Sequence, residues 1–341
     1  MRQRHRWPTR GHPAQPKPKH PVVNSYEPLL SPEYAKRRKQ TLGVPGILMQ
    51  EMRICAKITG DRMSKVVVRV PATSANLGPG FDCLGVALQL HARVGVWAGD
   101  KKAAAHPMAD EAAAAFFAAA NVPPFEFGWS ISPEIPVSRG LGSSVALRLG
   151  LLHGLNKLAG TPLGADALYR ICARLEGHPD NAAPAAFGGF TAALPDADYF
   201  RCDISPELAF VLLVPENEVG TDDSRRALPR NIPLQEAAMS TAHAAFITAA
   251  FASRQYRLLR GAMRDWMHEP HRESANPHLR PAVLAGVAAG ALDGYLSGSG
   301  SAVACVTLEN PDKVADAMRT ALPSAKTFVL RADNTGVTIE N

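Results

Sequence analysis

Glu176, His178, Asp180 and Asn181 stand within six residues of one another in EGHPDNAAPAAFGG, at the end of an amphipathic stretch. One carboxylate there suits Mg2+, which binds through one or two carboxylates and takes further ligands from phosphate oxygens. His178 alone reads as readily as a hydrogen-bonded structural histidine; the density of polar groups is what points to a site. A second group lies in PVSRGLGSS, which runs from Pro136 straight into a leucine-rich helical pattern. It lacks the lysine of G-x-x-x-x-G-K-[ST], does not fit G-x-G-x-x-G, and no H-R-D or D-F-G triplet accompanies it. Gly140 and Gly142 would still let the backbone approach an anion, and the helix start adds free N–H groups and a positive dipole end. Ser143 and Ser144 can cap that helix or hand a hydroxyl to a metal-bound phosphate. A plain Gly/Ser helix cap is the equally open alternative.

Two further loops carry polar groups. PATSANLGPGFD sets Asn76 and Asp82 six residues apart between Pro71, Pro79, Gly78 and Gly80. An amide and a carboxylate so placed can grip an ammonium and a hydroxyl, or simply form an Asx-turn and a surface charge. LSGSGSAVACV, with Gly298 and Gly300, implies a backbone packed tightly against another loop, or an ordinary β-turn.

The elements that must hold these loops follow from periodicity. KVVVRV from Lys65, VALQLHARVGVWA, FEFGWSISPEI, LAFVLLVP and TFVLRADNTGVTIEN read as strand material. Residues 109–120 are Ala-rich and helical. Leu147, Leu151, Leu155 and Leu158 recur at helical spacing, with Arg148, Asn156 and Lys157 assigned to other faces, and Gly160-Thr161-Pro162 ends the helix. Leu168, Ile171, Cys172 and Leu175 mark the next helix. Residues 234–268 read as helices, AGVAAGALDGYLSGSGSAVACVTL as helix, loop and strand, and Asn310-Pro311 as a helix start. Strands and helices mix without regular alternation, which favours α+β.

The chain has 341 residues, 46% hydrophobic and 20% charged, enough for two domains with a sizeable core. Its net charge of +6 is uneven. Residues 1–62 hold 13 Lys and Arg against 4 Asp and Glu, leaving 24 against 27 for the rest, so nothing supports polyanion binding by the body. This basic, Pro-rich leader reads as a disordered extension, and Met63 is an alternative start because a strand follows it. No apolar run spans a bilayer. Five scattered cysteines without a CxxC pair fit a reducing, cytoplasmic setting and suggest neither disulfides nor a zinc site.

VPATSANLGPGFDCLGVAL, PVSRGLGSS, EGHPDNAAPAAFGG and LSGSGS resemble, in this order, the characteristic segments of the GHMP small-molecule kinases, the first and third looking like homoserine kinase segments. The resemblance covers the chain from about Lys65 onward. It implies a two-domain α+β fold, with a ribosomal-S5-like N-terminal domain over 63–205 and a ferredoxin-like C-terminal domain over 206–341. It implies ATP held by Pro136, Arg139, Gly140, Leu141, Gly142, Ser143 and Ser144, with Ser144 and Glu176 on Mg2+. L-homoserine would meet Asn76, Asp82, His178, Asn181, Thr221, Arg225 and Arg272, with Arg226 a neighbouring competitor for the role of Arg225. Ser144, Glu176, Asn181 and Arg225 are the expected catalytic set. An amide at Asn181 cannot abstract a proton, so the implied mechanism is positioning and charge stabilisation, with Asp180 a further candidate in proton transfer. The implied reaction is ATP-dependent phosphorylation of the homoserine hydroxyl, a step toward threonine, with no nucleic-acid or membrane partner and a homodimer as one allowed assembly. A GHMP kinase for another small alcohol, or a non-catalytic metabolite-binding regulator, are the alternatives.

Overall fold

The computed structural model describes residues 65–99, 106–132 and 134–340. The basic extension expected over 1–62 and the start at Met63 lie outside the described residues. Strand β1 (Val66–Ala75) pairs antiparallel with β2 (Leu84–Ala98), in register Val68↔Val94 and, past a bulge at Pro71/Ala72, Ala72↔Leu88. The sequence suggested a strand ending near Val70 and a loop beyond it. The strand instead runs on to Ala75, because the bulge absorbs a proline that has no N–H to give the ladder. The extension matters: it carries the fully buried Thr73 and Ser74 toward the Gly/Ser loop.

Strand β3 (Phe127–Ser132) and strand β4 (Phe190–Ala193) pair with the two ends of the edge of β2 that β1 leaves open, and β5 (Tyr199–Cys202) pairs with β4. Strand β10 (Thr338–Glu340) returns to pair with β1, so the sheet order is β10-β1-β2-β4-β5 with β3 beside β2. A second sheet, all antiparallel, has the order β7-β8-β6-β9 from β6 (Ala209–Val214), β7 (Asp293–Leu296), β8 (Val303–Thr307) and β9 (Lys326–Leu330). The boundary expected at 205/206 falls between β5 and β6, and β10 crosses back over it.

Helices α1 (Pro107–Ala120), α2 (Ser143–Leu158), α3 (Ala165–Glu176) and α4 (Ala182–Phe187) accompany the first sheet. Leu149, Leu151, Leu152 and Leu155 of α2 are fully buried against Val94 and Val96 of β2 in one continuous core. Arg148 and Asn156, expected off the apolar face, are buried as well. Asn156 serves the turn after α2, exchanging two hydrogen bonds with the backbone of Leu163 at 2.9 and 3.0 Å. Beyond the first sheet come α5 (Thr221–Arg226), α6 (Leu234–Ala252), a 3-10 turn (Tyr256–Leu259), α7 (Glu269–Arg272), α8 (Leu279–Ala288) and α9 (Pro311–Ala321). Helicity expected through 268 thus stops at Ala252, apart from that turn. Leu279 and Ala282 of α8 and Val314 and Met318 of α9 seal the second sheet. Phe190 of β4 stacks on Phe251 of α6 at 4.4 Å, joining the two halves of the core. Cys83, Cys172, Cys202 and Cys305 are free thiols, and no helix among the described residues is long and apolar enough to cross a membrane.

Candidate active site

The Gly/Ser loop is moulded against its neighbours. Gly140 and Gly142 both hold φ of +71°, and a Cβ at Gly140 would lie 2.0 Å from the Ser297 carbonyl oxygen. A Cβ at Gly142 would lie 2.1 Å from Thr73 Oγ1 and 3.5 Å from Asn181 Oδ1. Backbone at these points has no room for a side chain, which leaves the amide edge accessible to an anion. Helix α2 starts at Ser143 with Gly142 in the N-cap position and no capping side chain. Its first N–H groups and dipole therefore face the loop without a side-chain oxygen in competition. Ser144 does not cap; its hydroxyl donates to Glu176 Oε2, the last residue of α3, at 2.9 Å. Leu141 is buried, and its carbonyl accepts the Thr73 N–H at 3.2 Å, which pins the loop to β1. Ser297 Oγ donates to the Gly140 carbonyl at 2.7 Å, and Ala302 N–H to that of Arg139 at 3.2 Å.

Arg139, expected to flank phosphate, turns its guanidinium to backbone carbonyls. Its Nε donates to the Pro215 carbonyl at 3.0 Å and Nη1 to that of Val137 at 2.6 Å, with Glu216 taking Nη2 and Glu218 paired at 3.1 Å. Through Pro215, Glu216 and Glu218 the guanidinium tethers the loop to the chain leaving β6. Pro136 leads half-buried into the same loop.

A pocket of opposed charges lies beside this cradle. Asp82 forms a two-pronged pair with Arg225 at 2.7 and 3.1 Å, which fixes Arg225 rather than Arg226 as the inward member; Arg226 is exposed and pairs with Asp223. Thr221, at the first position of α5, is exposed. Arg272, on α7, is 3% exposed, and its Nη1 reaches the Gly298 carbonyl at 3.1 Å and His268 Nδ1 at 3.1 Å. Both guanidiniums lie over the Phe81 ring, at 5.5 Å for Arg225 and 5.4 Å for Arg272. His268 stacks on Phe81 at 5.1 Å, and its Nε2 donates to the Gly78 carbonyl at 2.8 Å. That bond leaves Nδ1 as the acceptor for Arg272, so a neutral imidazole is required. Burial, aided by the Arg272 charge and opposed by Asp265, holds its pKa down at about 4. Burial, with the like charge of Arg225, also lowers Arg272 to about 10, and its Nε is buried without a partner among the described residues. A buried cation with an unmet donor is a receptor for an anion.

Asn181 joins the two regions. Its Oδ1 accepts from Thr73 Oγ1 at 2.7 Å, and its backbone N–H donates to Asp180 Oδ1 at 2.8 Å. Asp180, 2% exposed, also accepts from His178 Nδ1 at 2.5 Å. Burial disfavours the His178 imidazolium, but Asp180, bonded and charged, outweighs it with help from Asp82, so its pKa is raised. Asn76 Nδ2 donates to Gly298 O at 3.0 Å, and its Oδ1 accepts the Asp82 N–H at 3.0 Å. Polar atoms of Asp82, His178 and Asp180 lie within 4.8 Å of one another. Ser144 and Glu176, at the mouth of the anion cradle, offer hard oxygen donors of the kind that fits Mg2+.

The structure thus gathers Asn76, Asp82, His178, Asn181, Arg225 and Arg272 beside Gly140–Ser144, with the Arg139 guanidinium bonded to backbone carbonyls and Thr221 exposed one turn before Arg225 on α5. Sequence reasoning passed over Thr73, Phe81, His268 and Arg148. The signal for Arg148 was present: it stands four residues after Ser144, on the same helix face.

Comparison with known proteins identifies the family. Family models described as GHMP kinases N terminal domain and GHMP kinases C terminal match residues 107–189 and 247–324. A homoserine kinase of Thermus thermophilus is 39% identical over 248 residues, covering 70% of this chain and 85% of its own length. One from Moorella thermoacetica is 37% identical over 271 residues, covering 75% and 92%. The crystal structure of homoserine kinase from Cytophaga hutchinsonii superposes with a TM-score of 0.75 at 23% identity, over 82% of this chain and 99% of that one. With the two-sheet fold, the glycine cradle and these relatives in agreement, the chain belongs to the homoserine kinases of the GHMP kinase family.

Proposed function

We propose that this enzyme transfers the γ-phosphoryl group of ATP to the side-chain hydroxyl of L-homoserine, at the junction of the glycine cradle and the charged pocket. The observation that carries the reading is the position of Asn181: its amide oxygen is 3.5 Å from where a Gly142 Cβ would stand, while its neighbour Asp180 abuts Asp82 and His178. A group held in the pocket is thereby presented to a phosphate held in the cradle.

The pocket is complementary to a zwitterion. Asp82 suits an α-ammonium, and Arg225 with Arg272 suits an α-carboxylate. Without substrate, Asp82 and Arg225 satisfy each other. A bound amino acid would exchange that internal pair for two external ones, keeping the charges balanced. Arg272, lacking a carboxylate partner, gains most.

The backbone amides of Gly140–Ser144 and the α2 dipole would hold the polyphosphate. Ser144 and Glu176 would hold Mg2+, which supplies charge neutralisation on the phosphates. Asn181, fixed by Thr73 and Asp180, and His178, fixed by Asp180, would orient the acceptor hydroxyl. Asp82 is paired with Arg225 and Asp180 with His178, and Asn181 is an amide, so catalysis rests on alignment and charge stabilisation, as suits a loose phosphoryl-transfer transition state. The test is ADP release with L-homoserine, mevalonate and a panel of sugars, with and without Mg2+. Homoserine-dependent turnover is expected, and sugar turnover without homoserine turnover would end the assignment.

A further inference from the structure

Arg148 is the buried cation of the site that the proposed chemistry leaves without a task. It sits one turn after Ser144 on α2, 9% exposed, in a leucine-rich helix. Nη1 is bonded to Glu176 Oε1, and Nη2 donates to Glu111 Oε2 on α1 at 3.1 Å. The Glu176 carboxylate, its side chain 8% exposed, is therefore divided: one oxygen on the guanidinium, the other on the Ser144 hydroxyl. A buried carboxylate without a counter-charge is costly, and a guanidinium remains charged at any working pH. Glu111 is 56% exposed and a weak rival for the same cation.

We propose that Arg148 is a positioning residue that occupies Glu176 in the metal-free enzyme and sets how tightly a divalent cation binds there. The inference rests on Glu176 being a metal carboxylate. A divalent ion must share that carboxylate with a fixed positive charge, so the affinity is held below what the oxygen donors alone would give. The bare protein then binds metal weakly, and the phosphates of an arriving nucleotide tip the balance. The guanidinium also keeps the carboxylate aimed at Ser144 while it waits.

The test is direct Mn2+ binding, read as free Mn2+ by electron paramagnetic resonance, with the full chain alone and with ADP. Arg148→Gln, which keeps a hydrogen bond but not the charge, is expected to bind Mn2+ about tenfold more tightly, the order expected for removing one screened charge beside a cation. Arg148→Lys should stay near the unaltered protein, and Glu176→Gln should bind more weakly with or without Arg148→Gln. Arg148→Met serves the same purpose should Arg148→Gln not fold. A purely structural role predicts the opposite, weaker binding in Arg148→Gln. Weaker or unchanged binding there, with Glu176→Gln impaired, overturns this proposal alone. Unchanged binding in Glu176→Gln overturns the assignment of Glu176 to the metal and this proposal with it.

Discussion

At the scale of single residues, the site is organised by side chains that correct one another's charge. Arg272 is buried beside Arg225, and the Phe81 ring lies against both guanidiniums. Arg272→Ala is expected to raise the homoserine KM by the equivalent of about 2–5 kcal/mol, the usual loss for one partner of a desolvated charge pair. The KM for ATP should barely move, because no Arg272 bond reaches the cradle; steady-state kinetics with each substrate varied will show it. Arg225 and Arg272 were legible in the sequence only through the segments around them, since either would otherwise pass for a surface arginine. Phe81 and His268 were not legible at all. Their roles come from a stack and a choice of tautomer between two loops far apart in the chain, and no local pattern records that. Arg148 shows the reverse case, a charge in a leucine helix whose spacing from Ser144 was there to be seen.

Elements matter here as carriers, and α7 is the shortest α-helix among the described residues, at four residues. It delivers Arg272, and it is fastened by Glu269, whose Oε1 accepts the Leu296 N–H at 2.7 Å. Burial, with Asp265 adding to it, raises the Glu269 carboxyl to about 8. Its folded pKa exceeds the unfolded value of about 4.3, so its contribution is full below that pH and is lost as the pH rises toward 8. Glu269→Gln should therefore melt progressively higher than the unaltered protein from pH 5 to 8, with a constant gap above. The ceiling is about 1.4 kcal/mol per pH unit. A gap independent of pH in matched thermal scans would contradict this. Strand and helix types were readable where the pattern was clear, as in the leucine period of α2 and the unbroken apolar run of β6. The prediction failed where geometry overrode local chemistry: Pro71 sits inside β1 because a bulge accommodates it, and the four residues of β7 are too few to show a period.

For the molecule as a whole, the two sheets meet along the loop from Ser297 to Ser301. Gly298 accepts from Asn76 and Arg272, Ser299 from Ser224, and Ser297 bonds both Ser74, at 2.8 Å, and Gly140. The same seam thus supports the phosphate cradle and the charged pocket. Gly140→Ala drives a methyl group into the Ser297 carbonyl from a left-handed backbone, and is expected to cost about 1–3 kcal/mol of stability. It should weaken ATP and homoserine together, measured by melting temperature and by both KM values; a change in ATP alone would contradict a shared seam. The two-domain expectation came from resemblance, and the sequence held no sign that β10 would cross back to β1, since strand pairing at that separation leaves no local trace. That return has a consequence for synthesis. On the ribosome β1 emerges early and stays without its outer neighbour until Val67 can meet Glu340. Until β10 has been made that edge of β1 is open to other nascent chains, so this fold asks for protection there while the intervening residues are translated.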